Sequence, residues 1–235
     1  MRVIIEYKKR IVISLGGSVI HNHNGINLKY LSNTVKMIKK HKNFGFVYVV
    51  GGGNVARDYI GAARDYGIDK HGQDMLGIEA TRINALLFAL MLRKNGISSH
   101  NVKNIFEEHT HFFGQYQVIV TGGTIPGHTT DRVAVQCAVK FGCDYMINVT
   151  EVGYICDKDP KNNHDAKIIK QVKGTELIQK WGLDHQPGLN LPIEPKAIQQ
   201  AIESRIKIYV IGPSIEDLEK VITGNRYNGT LVLPE

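Results

Sequence analysis

Cysteine is scarce in this 235-residue chain. Cys137, Cys143 and Cys156 are an odd number with no C-x-x-C pair, which indicates neither a disulfide framework nor a zinc site. Long apolar runs are also missing. The longest, Ala85 to Leu92, falls short of the roughly 20 residues that cross a bilayer. Nor does the start read as a secretory signal: Arg2, Lys8, Lys9 and Arg10 precede an apolar run, Ile11 to Leu15, that ends at glycines rather than at a cleavage site. A cytoplasmic protein without a membrane partner is the expectation. Internal repeats, low-complexity tracts and clear linkers are absent, so residues 1–235 are expected to form one domain with two lobes.

What is present is ordinary globular composition, with 43% hydrophobic and 22% charged residues. Twenty-nine Lys and Arg against 22 Asp and Glu give a net charge of +7. The basic residues are scattered, with short clusters only at Lys8–Arg10 and Lys39–Lys42. A nucleic-acid binder concentrates them beside exposed aromatics, so a small polyanionic ligand explains the charge more simply. A plain solvated surface is the bland alternative. The pairs His21/His23 and His109/His111 have metal-like spacing, but no Cys or carboxylate completes a set. They read as loop histidines, and no protein metal site is expected.

Short apolar runs bounded by Gly, Asp or Asn mark strands at Ile11–Leu15, Phe46–Val50, Gln117–Thr121, Asp144–Val149 and Ile206–Ile211. Helical spacing joins Leu28, Leu31, Val35 and Ile38, then Ile83, Leu86, Leu87, Leu90 and Met91, which end at a C-cap signal, Lys94-Asn95-Gly96. Val133, Cys137 and Phe141 mark a third helix, and Leu218, Val221 and Ile222 a late one. Strands alternating with helices predict an α/β fold, a mostly parallel sheet covered on both faces. The stretches 157–165 and 182–195 read as loops.

Three strands run into glycine-rich turns: Gly16-Gly17-Ser18, Gly51-Gly52-Gly53-Asn54-Val55-Ala56-Arg57, and Gly122-Gly123-Thr124-Ile125-Pro126-Gly127-His128-Thr129-Thr130-Asp131. Such turns bring backbone N–H groups close to an anion, and a following helix adds partial positive charge. One turn alone is explained by backbone geometry; three at successive strand ends point to phosphate. No Walker A loop or G-x-G-x-x-G occurs, so the phosphates are held another way.

These turns, together with Asp74-Met75-Leu76-Gly77-Ile78-Glu79-Ala80-Thr81-Arg82, resemble the UMP kinases of the amino acid kinase family, most closely the archaeal type, over nearly the whole chain. Pro126 to Asp131 is the most diagnostic element. The resemblance implies a three-layer α/β/α sandwich, ATP on the C-terminal half, UMP on the N-terminal half, Mg²⁺ with the ATP, and a homohexamer. It places Gly16, Gly17, Ser18 and Gly53 beside the ATP phosphates, Gly52 at the junction on the UMP side, and Arg57 between the two charges. Arg57 has a second reading, a surface ion pair with a carboxylate. Asp74 resembles the carboxylate that holds the UMP ribose, or else caps its helix. Thr124, Ile125, Pro126, Gly127, His128, Thr129 and Thr130 resemble the segment that wraps UMP, and Thr129 or Thr130 also suits a helix N-cap.

The segment expected at the ATP nucleoside, Thr150-Glu151-Val152-Gly153-Tyr154-Ile155-Cys156-Asp157-Lys158-Asp159-Pro160, keeps Thr150 and Asp159-Pro160 but departs at Glu151, at Gly153-Tyr154 and at Cys156. Tyr154 is the candidate adenine-side aromatic. Ser14 stands where many members carry lysine, and Gln199 stands where a second lysine is expected. Lys196, one turn earlier on the same helical face, is either its substitute or a solvated lysine.

The acceptor implied is an already ionised phosphate, so alignment and charge neutralisation matter more than a general base. Arg57 and Lys196 are the candidate catalytic cations, with Asp131 or Asp159 ordering metal-bound water. The alternatives are a kinase of the same family for another acceptor, such as isopentenyl phosphate, or a non-catalytic nucleotide- or oxyanion-binding protein on the same fold.

Overall fold

The computed structural model describes residues 7–107, 115–158, 163, 165–183 and 191–235. The chain runs β1 (Lys9–Leu15), α1 (Gly17–Ile20), the small pair β2 (His21–Asn22) and β3 (Gly25–Ile26), then α2 (Leu28–Lys40). It continues through β4 (Phe44–Val50), α3 (Gly53–Asp65), α4 (Lys70–Lys94), β5 (Ser99–Val102) and β6 (Val118–Thr121). Next come α5 (Thr130–Lys140), β7 (Tyr145–Val149), the pair β8 (Ile155–Cys156) and β9 (Ile168–Ile169), and β10 (Gln171–Lys173). The last elements are α6 (Gly174–Trp181), α7 (Pro195–Glu203), β11 (Lys207–Ile211), α8 (Ile215–Thr223) and β12 (Gly229–Leu233).

Eight strands form one sheet in the order β10-β12-β11-β7-β1-β4-β6-β5. Pairing is parallel from β11 through β5, and β12 joins β11 antiparallel. The five expected strands all lie in this sheet, each within two residues of its predicted start. Strand alternation divides the core into two layers. Val12, Val47, Val49, Ile119 and Met146 face α5, α6 and α7, meeting Val133, Leu177 and Ile198. Ile13, Phe46, Tyr48, Val50 and Val120 face α2, α4 and α8, meeting Leu31, Phe88 and Leu218. The result is an α/β/α sandwich. Each fully buried side chain of this size contributes roughly 1.5–3 kcal/mol.

Strand β1 lies between β4 and β7. The chain leaves β1 over one face toward β4, whereas β7 leads over the other face toward β11. In parallel sheets the crevice outside the strand ends at such a reversal is where ligands bind. All three glycine turns, and Thr150 after β7, sit on this edge.

Helix α4 departs from its sequence reading. Asp69 caps it, its carboxylate accepting the Gly72 N–H at 2.8 Å, and it ends at Asn95 before Gly96, which has φ +75°. By length and composition α4 is long and apolar enough to cross a membrane. In the fold it packs against α3 and strands β4, β5 and β6. Its core face is Ala85, Phe88, Ala89 and Leu92. Of the residues joined by helical spacing, Leu87 and Met91 pack against the core, whereas Ile83, 61% exposed, Leu86, 42% exposed, and Leu90, 49% exposed, lie outward. A helix apolar on every side offers periodicity no means of choosing the inner face.

Candidate active site

The first two glycine turns are pressed together. Gly16 donates to Val149 O at 2.9 Å and Gly51 donates to Leu15 O at 2.9 Å, so both turns continue their strand ladders. A Cβ on Gly17 would lie 2.1 Å from Gly53 N, and one on Gly51 would lie 2.4 Å from Gly17 N. Gly53 itself has φ +62°, with Gly17 O and His21 O where its side chain would go. No other residue type permits this approach.

Arg57 leaves the first turns of α3 and joins the two turns from outside. Its guanidinium donates to Asn54 Oδ1 at 2.7 Å and to Ser18 Oγ at 2.7 Å. Both partners are neutral, so the alternative reading of Arg57 as one half of a surface ion pair is not what the geometry shows. Asn54 in turn pairs with His23 Nδ1 at 3.3 Å.

The third turn is tied to α4 at two points. Gly123 donates to Thr81 Oγ1 at 2.6 Å, and Gly127 donates to Asp74 Oδ2 at 2.8 Å. Asp74 is inside α4 and does not cap it; Asp69 does. Thr124 is buried, and its hydroxyl has no partner among the described residues. His128 Nδ1 is likewise buried without a partner. Burial and Arg132 lower the His128 pKa, against a smaller opposing effect of Glu194. Ile125 and Gly127 are exposed, and Pro126 is half-buried. Thr129 caps α5, accepting from Arg132 N at 3.4 Å, and donates to Glu194; Thr130 is the first helical residue.

A carboxylate that the sequence reading gave only a subsidiary role sits between these parts. Asp131 accepts from Ser14 Oγ at 2.9 Å and from Glu194 N at 3.3 Å. Burial pushes its pKa up from 3.8 to about 6, with the Glu194 charge adding to the rise and the two hydrogen bonds opposing it. Ser14, noted in the sequence only as a missing lysine, is the group that satisfies it. The segment before α7 is pinned here as well, since Asn148 Nδ2 donates to Pro192 O at 2.9 Å. Lys196 stands exposed in the first turn of α7, two residues beyond Glu194, and Gln199 is half-buried.

Across β1, Thr150 N donates to Ile211 O at 3.0 Å. Gly153 has φ +75°, and a Cβ there would meet the Gly212 backbone at 2.8 Å, so glycine at 153 serves close packing. Glu151 is exposed, and Tyr154 and Cys156 are half-buried on either side of Ile155, whose N–H donates to Thr230 Oγ1 at 2.9 Å. Asp159 and Pro160, like His109 and His111, lie outside the described residues.

The arrangement can hold two anions at adjoining turns, with one guanidinium bridging their rims. The sequence profile of the amino acid kinase family matches residues 9–212. A uridylate kinase of Thermoplasma volcanium is 35% identical over 91% of this chain and 93% of its own. One from Methanococcus aeolicus is 33% identical over 96% of this chain and 100% of its own. The crystal structure of the uridylate kinase from Archaeoglobus fulgidus superposes with a TM-score of 0.81 at 33% identity, covering 94% of this chain and 99% of that one. The chain belongs to the amino acid kinase family.

Proposed function

We propose that the chain is a UMP kinase, transferring the terminal phosphoryl group of ATP to UMP to give UDP and ADP. Relatives bearing that name match it over more than nine-tenths of its length. The observation that carries the reading is the stack of turns: the second glycine turn lies between the first and the helix that holds the third.

On this reading the C-terminal half binds ATP. Its phosphates lie along Gly16, Gly17, Ser18 and Gly53, and its nucleoside lies near Thr150, Glu151, Tyr154, Cys156 and Asp159. UMP occupies the N-terminal half. Asp74 keeps one carboxylate oxygen for the ribose while the other fixes Gly127. The Thr124 hydroxyl and the turn through Thr130 face the acceptor, and a ligand oxygen gives that buried hydroxyl the partner it lacks.

The acceptor phosphate is ionised near neutral pH, so no side chain has to remove a proton. The work is to align two polyanions that repel each other and to offset charge on the group in flight. On this reading Arg57 and the first amides of α3, which lack intrahelical partners, do this work, with Lys196 as the second cation. No group of three or more His, Cys, Asp and Glu side chains suited to a metal exists among the described residues. A Mg²⁺ ion carried in by the ATP phosphates would draw charge from the transferred group. Asp131, near the junction, would fix its water.

The enzyme would work in the cytoplasm, where both nucleotides are at hand. It would work as a homo-oligomer, a hexamer by resemblance, with the apolar outer face of α4 covered by a second copy. ATP consumption with UMP, CMP, isopentenyl phosphate and glutamate derivatives, with products identified directly, tests the activity. UDP and ADP formed with UMP as the preferred acceptor is the expected result. ATP consumed only with another acceptor, or bound without transfer, overturns it.

A further inference from the structure

Two buried polar side chains on α4 touch the second and third glycine turns and belong to none of the roles above. Asn84, 3% exposed, donates through one nitrogen to Gly51 O at 2.9 Å and to Gly52 O at 3.0 Å. One helical turn earlier Thr81, 8% exposed, donates to Ile78 O at 2.6 Å and accepts from Gly123 N at 2.6 Å. We infer that Thr81 and Asn84 are positioning residues that set the spacing between the donor-side and acceptor-side turns; the inference rests on the phosphoryl-transfer reading of this site.

Peptide planarity gives the pair its effect. In a trans peptide the carbonyl and the following N–H point opposite ways. With the carbonyls of Gly51 and Gly52 held against Asn84, the N–H groups of Gly52 and Gly53 are turned away from α4. They open on the side of Gly17, where a side chain would fill the space: a Cβ on Gly17 would meet Gly52 N at 2.9 Å as well as Gly53 N. Asn84 therefore aims the amides that would bind the transferred phosphate without touching it.

Thr81 acts on the other turn. Its proton is committed to Ile78 O, which leaves an oxygen lone pair fixed toward Gly123. The approach is so close that a Cβ on Gly122 would lie 2.3 Å from Thr81 Oγ1. Residues three apart on a helix share one face. A rigid span of α4 thus fixes where the acceptor turn stands relative to the amides of the second turn. Small errors in such alignment are costly in phosphoryl transfer.

The two residues should separate in kinetics. Thr81→Val keeps the shape and loses the acceptor, so KM for UMP should rise about tenfold while KM for ATP stays within twofold. Thr81→Ser should restore the parent values. Asn84→Leu should lower kcat by about a hundredfold with smaller changes in either KM. Thr81→Ala is read by the same criteria where the valine variant does not fold. Amide exchange at Gly123, measured by NMR without nucleotide, is the independent readout. It should be protected in the parent and in Thr81→Ser, and exposed in Thr81→Val. Parent-like kinetics in Thr81→Val, equal rises in both KM values, or a serine variant as impaired as the valine one overturns the inference. A parent inactive on UMP sinks the proposed function instead, and the exchange at Gly123 then decides the clamp.

Discussion

Arg57 reaches 2.7 Å to the hydroxyl of Ser18, thirty-nine residues earlier in the chain. The contact ties the helix that starts inside the second glycine turn to the first turn, and it puts a fixed positive charge on the rim of their shared crevice. A guanidinium held by two neutral oxygens keeps its full charge for a ligand.

Replacing Arg57 by Ala should therefore lower kcat by on the order of 10³, the scale of an arginine that stabilises phosphoryl transfer. Arg57→Lys should recover part of that loss, since the charge remains while the fork that spans Asn54 and Ser18 does not. Steady-state rates with UMP saturating separate the two variants.

Gly53→Ala should destabilise the fold by about 2–4 kcal/mol. The new methyl meets Gly17 O at 2.5 Å and His21 O at 2.6 Å at a positive φ, and both obstacles are backbone. Urea unfolding measures the loss. ATP binding by whatever folded protein remains should fall with it.

Asp131 gives the stability a pH dependence. Its folded-state pKa, about 6, lies above the ordinary 3.8, so the native state holds the proton more tightly than the unfolded chain. The stabilisation from the protonated acid is fully present below 3.8 and is lost as pH rises through 6. Asp131→Asn removes that titration. Relative to this variant, the parent should lose on the order of 2 kcal/mol between pH 4 and pH 7. Parallel stability curves for the two proteins over that range would contradict the assignment.

The outer stripe of α4 predicts assembly. The parent should sediment at several times the 26.2 kDa of one chain, and Ile83→Asp with Leu90→Asp should reduce it to the single-chain mass. An unchanged mass in the double variant would place the contact elsewhere.

The central strands were legible because each is a short apolar run closed by a turn residue, and the glycine turns followed directly from them. Helix α3 was implied only by the glycine turn before it, since it buries only Gly53 and Ala63 and so carries no core stripe of its own. The edge strand Ser99–Val102 is too polar to read as a strand from periodicity. Thr81 and Asn84 left a usable trace: they are the uncharged polar residues of the stretch from Ile78 to Leu92, set three apart in line with Ala85 and Phe88. The Ser14–Asp131 bond spans 117 residues of sequence, and only folding brings its ends together. For the same reason a missing lysine could be seen in the sequence, while the hydroxyl standing in its place could not be given a partner.

A crystal structure with UMP and a non-hydrolysable ATP analogue tests the central claim most directly. The account predicts both crevices filled, the terminal phosphate of the donor facing the UMP phosphate across Gly52 and Gly53, and the Arg57 guanidinium turned onto one of them. Two nucleotides with their phosphates directed apart, or one crevice empty at saturating ligand, would contradict it.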